Sequence, residues 1–178
     1  MKNILLSVSI LLISCTFSFA EDKYPKNPKV DVLNYQFNIE LSDDTDEIKC
    51  EVTIDVRYKG EGVDVLRLDL TKASEALGNK GMTVSKVLGA EGKELSYTHE
   101  GEELKISLPQ NSTTNQRSSY TVIYSGIPAT GLKIAKNKYG DRTFFSDNWP
   151  NKGRNWVSVI DHAYDKVACE FGVTAPNK

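Results

Sequence analysis

Hydrophobic and polar residues alternate along most of this chain, and the alternation predicts strands. Leu33, Tyr35, Phe37, Ile39 and Leu41 alternate with Asn34, Gln36, Asn38 and Glu40, the pattern of a strand with one buried face. Ile48, Cys50, Val52, Ile54, Val56 and Tyr58 alternate in the same way with Lys49, Glu51, Thr53, Asp55 and Arg57. Residues 43–47 turn the chain between them, so the pair predicts a long antiparallel hairpin. Gly60-Glu61-Gly62 then precedes a strand over 63–70, and residues 72–79 predict a helical turn ended by Gly78 and Gly81. Further strands are expected over 82–88, 95–99, 104–108 and 119–124, with turns at 89–92 and 100–102. Short strands separated by turn signals predict an all-β fold, an antiparallel β-sandwich.

The stretch 127–156 breaks the pattern. Pro128, Gly131, Gly140, Pro150 and Gly153 make it read as a long irregular excursion, and connections of that length tend to carry function or face a partner. Strand character returns over 167–174.

Composition narrows the function classes. The 178 residues carry a formal net charge of −2, with no basic block or face, so nucleic acid is not an expected partner. The acidic run Asp43-Asp44-Thr45-Asp46-Glu47 lacks the alternating oxygen ligands, central glycine and closing glutamate of a calcium loop, and reads as a solvated turn. The N-terminus has the layout of a targeting segment. Lys2 is followed by an apolar run over 4–13 and by Ser18-Phe19-Ala20, which predicts a signal peptide of residues 1–20. Leu12-Ile13-Ser14-Cys15 also fits a lipobox, leaving lipid anchoring at Cys15 as the alternative. Either reading makes the protein exported, to a periplasmic or extracellular compartment. No stretch is long enough for a transmembrane span. Residues 21–29 read as an exposed lead-in, and 30–178 as one domain. Cys50 and Cys169 both fall on the apolar face of predicted strands. Two buried free thiols are expected, and a disulfide between them stays open.

Candidate chemistry concentrates in residues 144–162, which hold Trp149, Trp156, Arg154, Asp147, Asp161 and His162. A Ser/His/Asp set could be drawn from Ser146, Ser158, Asp147, Asp161 and His162, but no Gly-x-Ser-x-Gly elbow accompanies it. For a metal, only His99 and His162 are present. His99 reads as a surface residue, and Asp161 and His162 as neighbours pointing apart. No cluster of three or four ligands stands out. Arg154 and Asp161 suit a paired contact that pins the excursion to the sheet. Trp149 and Trp156 offer large areas to bury.

Several motifs together resemble one family. Pro150, Gly153-Arg154 and Asp161-His162-Ala163 repeat, at the same spacing, a pattern that closes the N-terminal domain of M1 zinc aminopeptidases, the group of aminopeptidase N and leukotriene A4 hydrolase. Tyr124-Ser125-Gly126, Gly131-Leu132 and the closing run 164–176 resemble further landmarks, and the similarity spans 30–176. The resemblance implies a saddle-shaped antiparallel β-domain. It also implies a role for the segment: Pro150, Arg154 and Asp161 as structural framework, and Asp147, Asn148 and Trp149 as substrate-cleft or domain-docking candidates. Many members carry Glu or Gln immediately before the Pro to bind the substrate's free amine. Trp149 stands there instead and offers no oxygen. The family's Gly-Ala-Met-Glu-Asn strand and His-Glu-x-x-His zinc helix belong to the following domain and are not in this sequence. No catalytic, cofactor-binding or metal residue is therefore expected here, and zinc is expected only in the catalytic domain. The resemblance implies a C-terminally truncated, non-catalytic domain whose partner is an M1-type catalytic domain and, through it, a peptide substrate. The competing expectation is a stand-alone secreted β-sandwich that binds a protein or glycan.

Overall fold

The computed structural model describes residues 22–176, so the expected signal peptide and Cys15 lie outside the described residues. In chain order the strands are β1 (Val30–Glu40), β2 (Ile48–Tyr58), β3 (Val65–Asp69), β4 (Gly81–Leu88), β5 (Tyr97–Glu100), β6 (Glu103–Ser107), β7 (Arg117–Ile127), β8 (Leu132–Lys136), β9 (Arg142–Ser146) and β10 (Ala168–Thr174). They form a five-stranded sheet in the order β10-β1-β2-β7-β4, a three-stranded sheet β3-β6-β5 and the hairpin β8-β9. The inward side chains of the two larger sheets meet in one core. Val52, Ile54 and Val122 from the first, and Leu66, Leu68, Leu104 and Ile106 from the second, are fully buried.

The long hairpin forms as the alternation predicts, with Phe37 opposite Val52 and Ile39 opposite Cys50. Leu33 is the exception. The register shifts between Val32 and Asn34, so Leu33 is the extra residue of a bulge and only partly buried. Val30 and Val32 take the inward positions before it. A bulge inverts the parity of every residue on one side of it, and alternation alone cannot show where that happens.

The all-β fold holds, but the first sheet is not wholly antiparallel. β10 runs parallel to β1, with Tyr35 opposite Cys169 and Phe37 opposite Phe171. Parallel neighbours need a long crossover, and the excursion after β7 supplies it. That excursion is also less irregular than its prolines and glycines suggest, because β8 and β9 pair from Leu132–Ser146 to Lys136–Arg142. Among their apolar residues only Leu132 is buried, with Ile134 and Phe144 partly so. Such a shallow hairpin leaves little alternation to read. Its turn is set by the Asn137 side chain, whose Oδ1 accepts from the backbone N–H of Tyr139 (2.8 Å) and Asp141 (3.0 Å).

Other expectations change on burial. The turn at 72–79 contains a 3-10 segment, Glu75–Leu77, ended by Gly78 at φ 65°. His99 is buried, not superficial, with Nε2 3.0 Å from the Leu70 carbonyl. Burial holds its pKa below the ordinary value. Cys50 is buried and its thiol is pushed up to about 12 by burial. Cys169 is exposed, because β10 is an edge strand whose inward face is left uncovered. Both thiols are free. Cys50 lies opposite Ile39 and Cys169 opposite Tyr35, on different sides of β1 and offset by about 13 Å along it, too far for a bridge.

Candidate functional site

The segment 147–163 leaves β9, makes a 3-10 turn at Gly153–Asn155 and runs back over the three-stranded sheet. There Asp69 and Val159 exchange backbone hydrogen bonds (2.6 and 3.2 Å). Two buried tyrosines of the large sheet hold it from beneath. Tyr124 Oη accepts from the Ser158 N–H (3.1 Å) and donates to the Trp156 carbonyl (3.3 Å), and Tyr35 Oη accepts from the Ile160 N–H (2.9 Å). The Tyr-x-Gly pattern thus has a physical basis. Tyr124 carries the loop, and Gly126 lies against β4, where a Cβ would fall 2.1 Å from the Gly81 carbonyl oxygen. Gly131 has φ +81°, and a Cβ there would sit 2.4 Å from the Lys152 carbonyl oxygen, so only glycine fits. Tyr124→Phe keeps the ring but strands the buried Ser158 N–H. Urea denaturation is expected to show a loss of about 1–3 kcal/mol.

The expected Arg154–Asp161 pair forms. Asp161 Oδ2 accepts from Arg154 Nε (3.2 Å) and from the Arg154 backbone N–H (3.1 Å), and Arg154 Nη2 donates to the Asp161 carbonyl (3.2 Å). Arg154 Nη1 also reaches Glu102 at 3.0 Å, and the Arg154 carbonyl accepts from Thr71 N–H at 2.7 Å. One guanidinium therefore ties the loop to itself and to the turn between β5 and β6.

Sequence reasoning missed the group on which this pair rests. Asp69 is fully buried. Its Oδ2 accepts from the Asp161 N–H (2.8 Å) and from the Tyr24 hydroxyl, and its Oδ1 lies 2.8 Å from Arg67 Nη2, off hydrogen-bond alignment. Arg67 in turn donates to Glu103 (3.0 Å) and to Tyr24 Oη (3.0 Å). Most of residues 22–29 are exposed, as expected of a lead-in, but Tyr24 is half-buried. Its ring stacks on His162 at 4.5 Å between centroids. His162 Nε2 lies 3.3 Å from Asp22, so Asp161 and His162 do serve different partners. The only hint in the sequence was an Arg and an Asp two apart on a short strand, too common a pattern to mark.

The three docking candidates differ in what they leave free. The Asn148 side chain is used internally, accepting from Trp156 Nε1 at 2.9 Å. Asp147 pairs with Lys152 at 2.9 Å, and that hydrogen bond holds its carboxyl below the usual range. Trp149 has no such tie and is 81% exposed, with Phe145 at the end of β9 65% exposed. A recess of about 380 Å³, lined in part by Lys80, Lys133, Phe145, Asp147 and Lys152, lies on one side of the loop. A second hollow, of about 430 Å³, is lined by Trp149, Pro150, Arg154 and His162. The acidic turn expected to be free in solvent is partly engaged. Arg142 pairs with Asp46 and donates to the carbonyls of Thr45 (2.7 Å) and Ser42 (3.1 Å), clasping β9 to the long hairpin.

Past the loop, Asp165 has a buried, unpartnered Oδ2. Burial pushes its pKa from 3.8 up to about 6, Asp31 adds repulsion, and Lys59 opposes the shift. The folded state thus binds the proton more tightly than the unfolded chain, and stability from this group falls as pH rises from about 4 to about 6. Discounted for partial exposure, Asp165→Asn is expected to stabilise by about 1 kcal/mol at neutral pH and by nothing below about pH 4. Melts across that range check it.

Among the described residues, no three or more of His, Cys, Asp and Glu gather where they could hold a metal ion. No helix among the described residues is long and apolar enough to cross a membrane.

Two sheets around one core, bridged by a pinned loop with an outward tryptophan, define the chain as an all-β sandwich-like domain. The solved structures sharpen that class. The chain superimposes on an M1 zinc metallopeptidase from Deinococcus radiodurans with a TM-score of 0.67 at 20% identity, covering 84% of this chain and 33% of that one. It superimposes on yeast leukotriene A4 hydrolase with a TM-score of 0.70 at 19% identity, covering 84% and 23%. The fold is the one expected from the motifs, that of the M1 peptidase N-terminal domain, and the chain spans a third or less of these proteins' length. No family model and no curated protein matches the sequence.

Proposed function

We propose that this chain is the non-catalytic N-terminal β-domain of an exported M1-type zinc aminopeptidase, docking on a catalytic domain and lining its substrate cleft. The observation that carries the reading is the loop 147–163. Arg154, Asp161, Asn148 and Trp156 are consumed in holding it, and it leaves the Trp149 side chain exposed. A large exposed aromatic on a well-braced loop is the form of an interface anchor. Trp149 occupies the position where the family resemblance puts an amine-binding oxygen, so its contribution is apolar contact. The N-terminal leader pattern supports export, and zinc chemistry would belong to the partner domain.

The test is to read the coding sequence downstream and co-express the catalytic segment found there with this chain. The expected result is a His-Glu-x-x-His segment that co-purifies in equal amounts and hydrolyses an aminoacyl-anilide in a chelator-sensitive way. An unrelated neighbour, or a catalytic segment that neither binds this chain nor gains activity from it, would overturn the proposal.

A further inference from the structure

The two edges of the large sheet are treated differently by the chain. Outside β4, the bridges Lys72–Met82 and Leu88–Glu94 occupy its two ends, with Ser74–Lys80 just before it, and a register shift between Val84 and Lys86 kinks it. Those are the devices that keep an edge from pairing. At the other end, β10 pairs with β1 alone among the described residues. It has no proline, and its single charge is Glu170.

The backbone orientation of β10 follows from one hydrogen bond. The Thr174 carbonyl accepts from Leu41 N–H at 2.8 Å, so Thr174 faces β1. Residues alternate along a strand, which turns the N–H and C=O groups of Cys169, Phe171 and Val173 to the open side. The same three residues lie across from Tyr35, Phe37 and Ile39 on the inward face of the sheet. Phe171 stacks on Phe37 at 4.9 Å, yet Phe171 and Val173 are each 56% exposed. Among the described residues, backbone groups without a strand partner and uncovered apolar side chains coincide on one strand.

We propose that β10 is a self-pairing edge, through which two copies of this chain join antiparallel about Phe171 and merge their five-stranded sheets. Charge and register both select a second copy. With Phe171 opposite Phe171, Cys169 falls opposite Val173, and all three are outward-bonding residues that form hydrogen-bonded pairs. Glu170 falls opposite Gly172, so the one charge on the strand never meets its copy. The apolar face then runs unbroken from one sheet into the other. This surface is separate from Trp149, and the inference does not depend on the docking role proposed above.

Sedimentation velocity on the purified chain over a wide concentration range is expected to show a dimer. Val173→Pro removes an outward N–H while sparing the ladder to β1, so it should abolish the dimer and, at dilutions where the parent is monomeric, melt as the parent does. Phe171→Cys in a Cys169→Ser background should cross-link two copies on oxidation, since hydrogen-bonded antiparallel partners place their Cα atoms about 5.5 Å apart. Trp149→Ala should leave the dimer intact. A chain that stays monomeric at every concentration overturns the proposal. So does a dimer that survives Val173→Pro, or a Phe171→Cys variant that does not cross-link.

Discussion

Asp69→Ala is expected to lower the stability of this domain by about 3–5 kcal/mol, the scale on which breaking one side of a buried ion pair acts. The carboxylate has no solvent exposure, and three separate parts of the chain converge on it: Tyr24 from the lead-in, Arg67 from β3 and the Asp161 N–H from the loop. Removing it leaves the Asp161 N–H without an acceptor and Arg67, already partly buried, with Glu103 as its remaining carboxylate. The loss reaches the candidate site, because Asp161 is the residue that receives Arg154. Tyr24→Phe removes a single contact and should cost only about 1 kcal/mol. The double variant Arg67→Met/Asp69→Leu should be less harmful than Asp69→Ala, since it removes both charges instead of stranding one. Urea titrations of the four proteins decide it. An Asp69→Ala variant within about 1 kcal/mol of the parent would show that the carboxylate is not the keystone of the loop.

The contrast between the Arg154–Asp161 pair and Asp69 shows what this sequence makes legible. Arg154 and Asp161 lie seven apart in a segment dense with unusual residues, and their pairing could be expected from proximity and charge alone. Asp69 reaches Asp161 across 92 positions. Nothing local distinguishes it from an acidic residue at the end of any strand. The same division runs through the fold. Strands with one buried face were readable from alternation, including the whole β1–β2 hairpin apart from the bulge at Leu33. β8 and β9 were not, because a surface hairpin buries too few side chains to impose the pattern. His99 was misplaced because burial of a polar residue depends on the Leu70 carbonyl brought beside it by tertiary packing. Cys169 was misplaced for the opposite reason. Its strand has the alternation of a covered one, with Phe171 and Val173 in phase, but the sheet ends there. Local sequence reports which face a strand prefers to bury, and the neighbours that satisfy or deny that preference are set elsewhere in the chain.

Trp149→Ala separates docking from folding more cleanly than any other change in the loop. The side chain is 81% exposed and contributes no side-chain hydrogen bond, so truncating it should shift stability by no more than about 0.5 kcal/mol. If it anchors the interface with a catalytic domain, the same change should weaken that complex by about 2 kcal/mol or more, roughly thirtyfold in affinity. Trp149→Phe should recover part of the loss, because most of the contact offered is apolar area. Arg154→Ala provides the opposite control. It breaks the bonds to Asp161 and Glu102 and should lower stability and binding together. Calorimetric titration of the co-expressed catalytic segment, paired with melts of the isolated variants, reads both quantities. Equal affinities for Trp149→Ala and the parent would remove Trp149 from the interface. A fall in affinity accompanied by an equal fall in stability would make it a structural residue instead. The expected pattern, full stability with lost binding, can arise only if the exposed ring is what the partner meets.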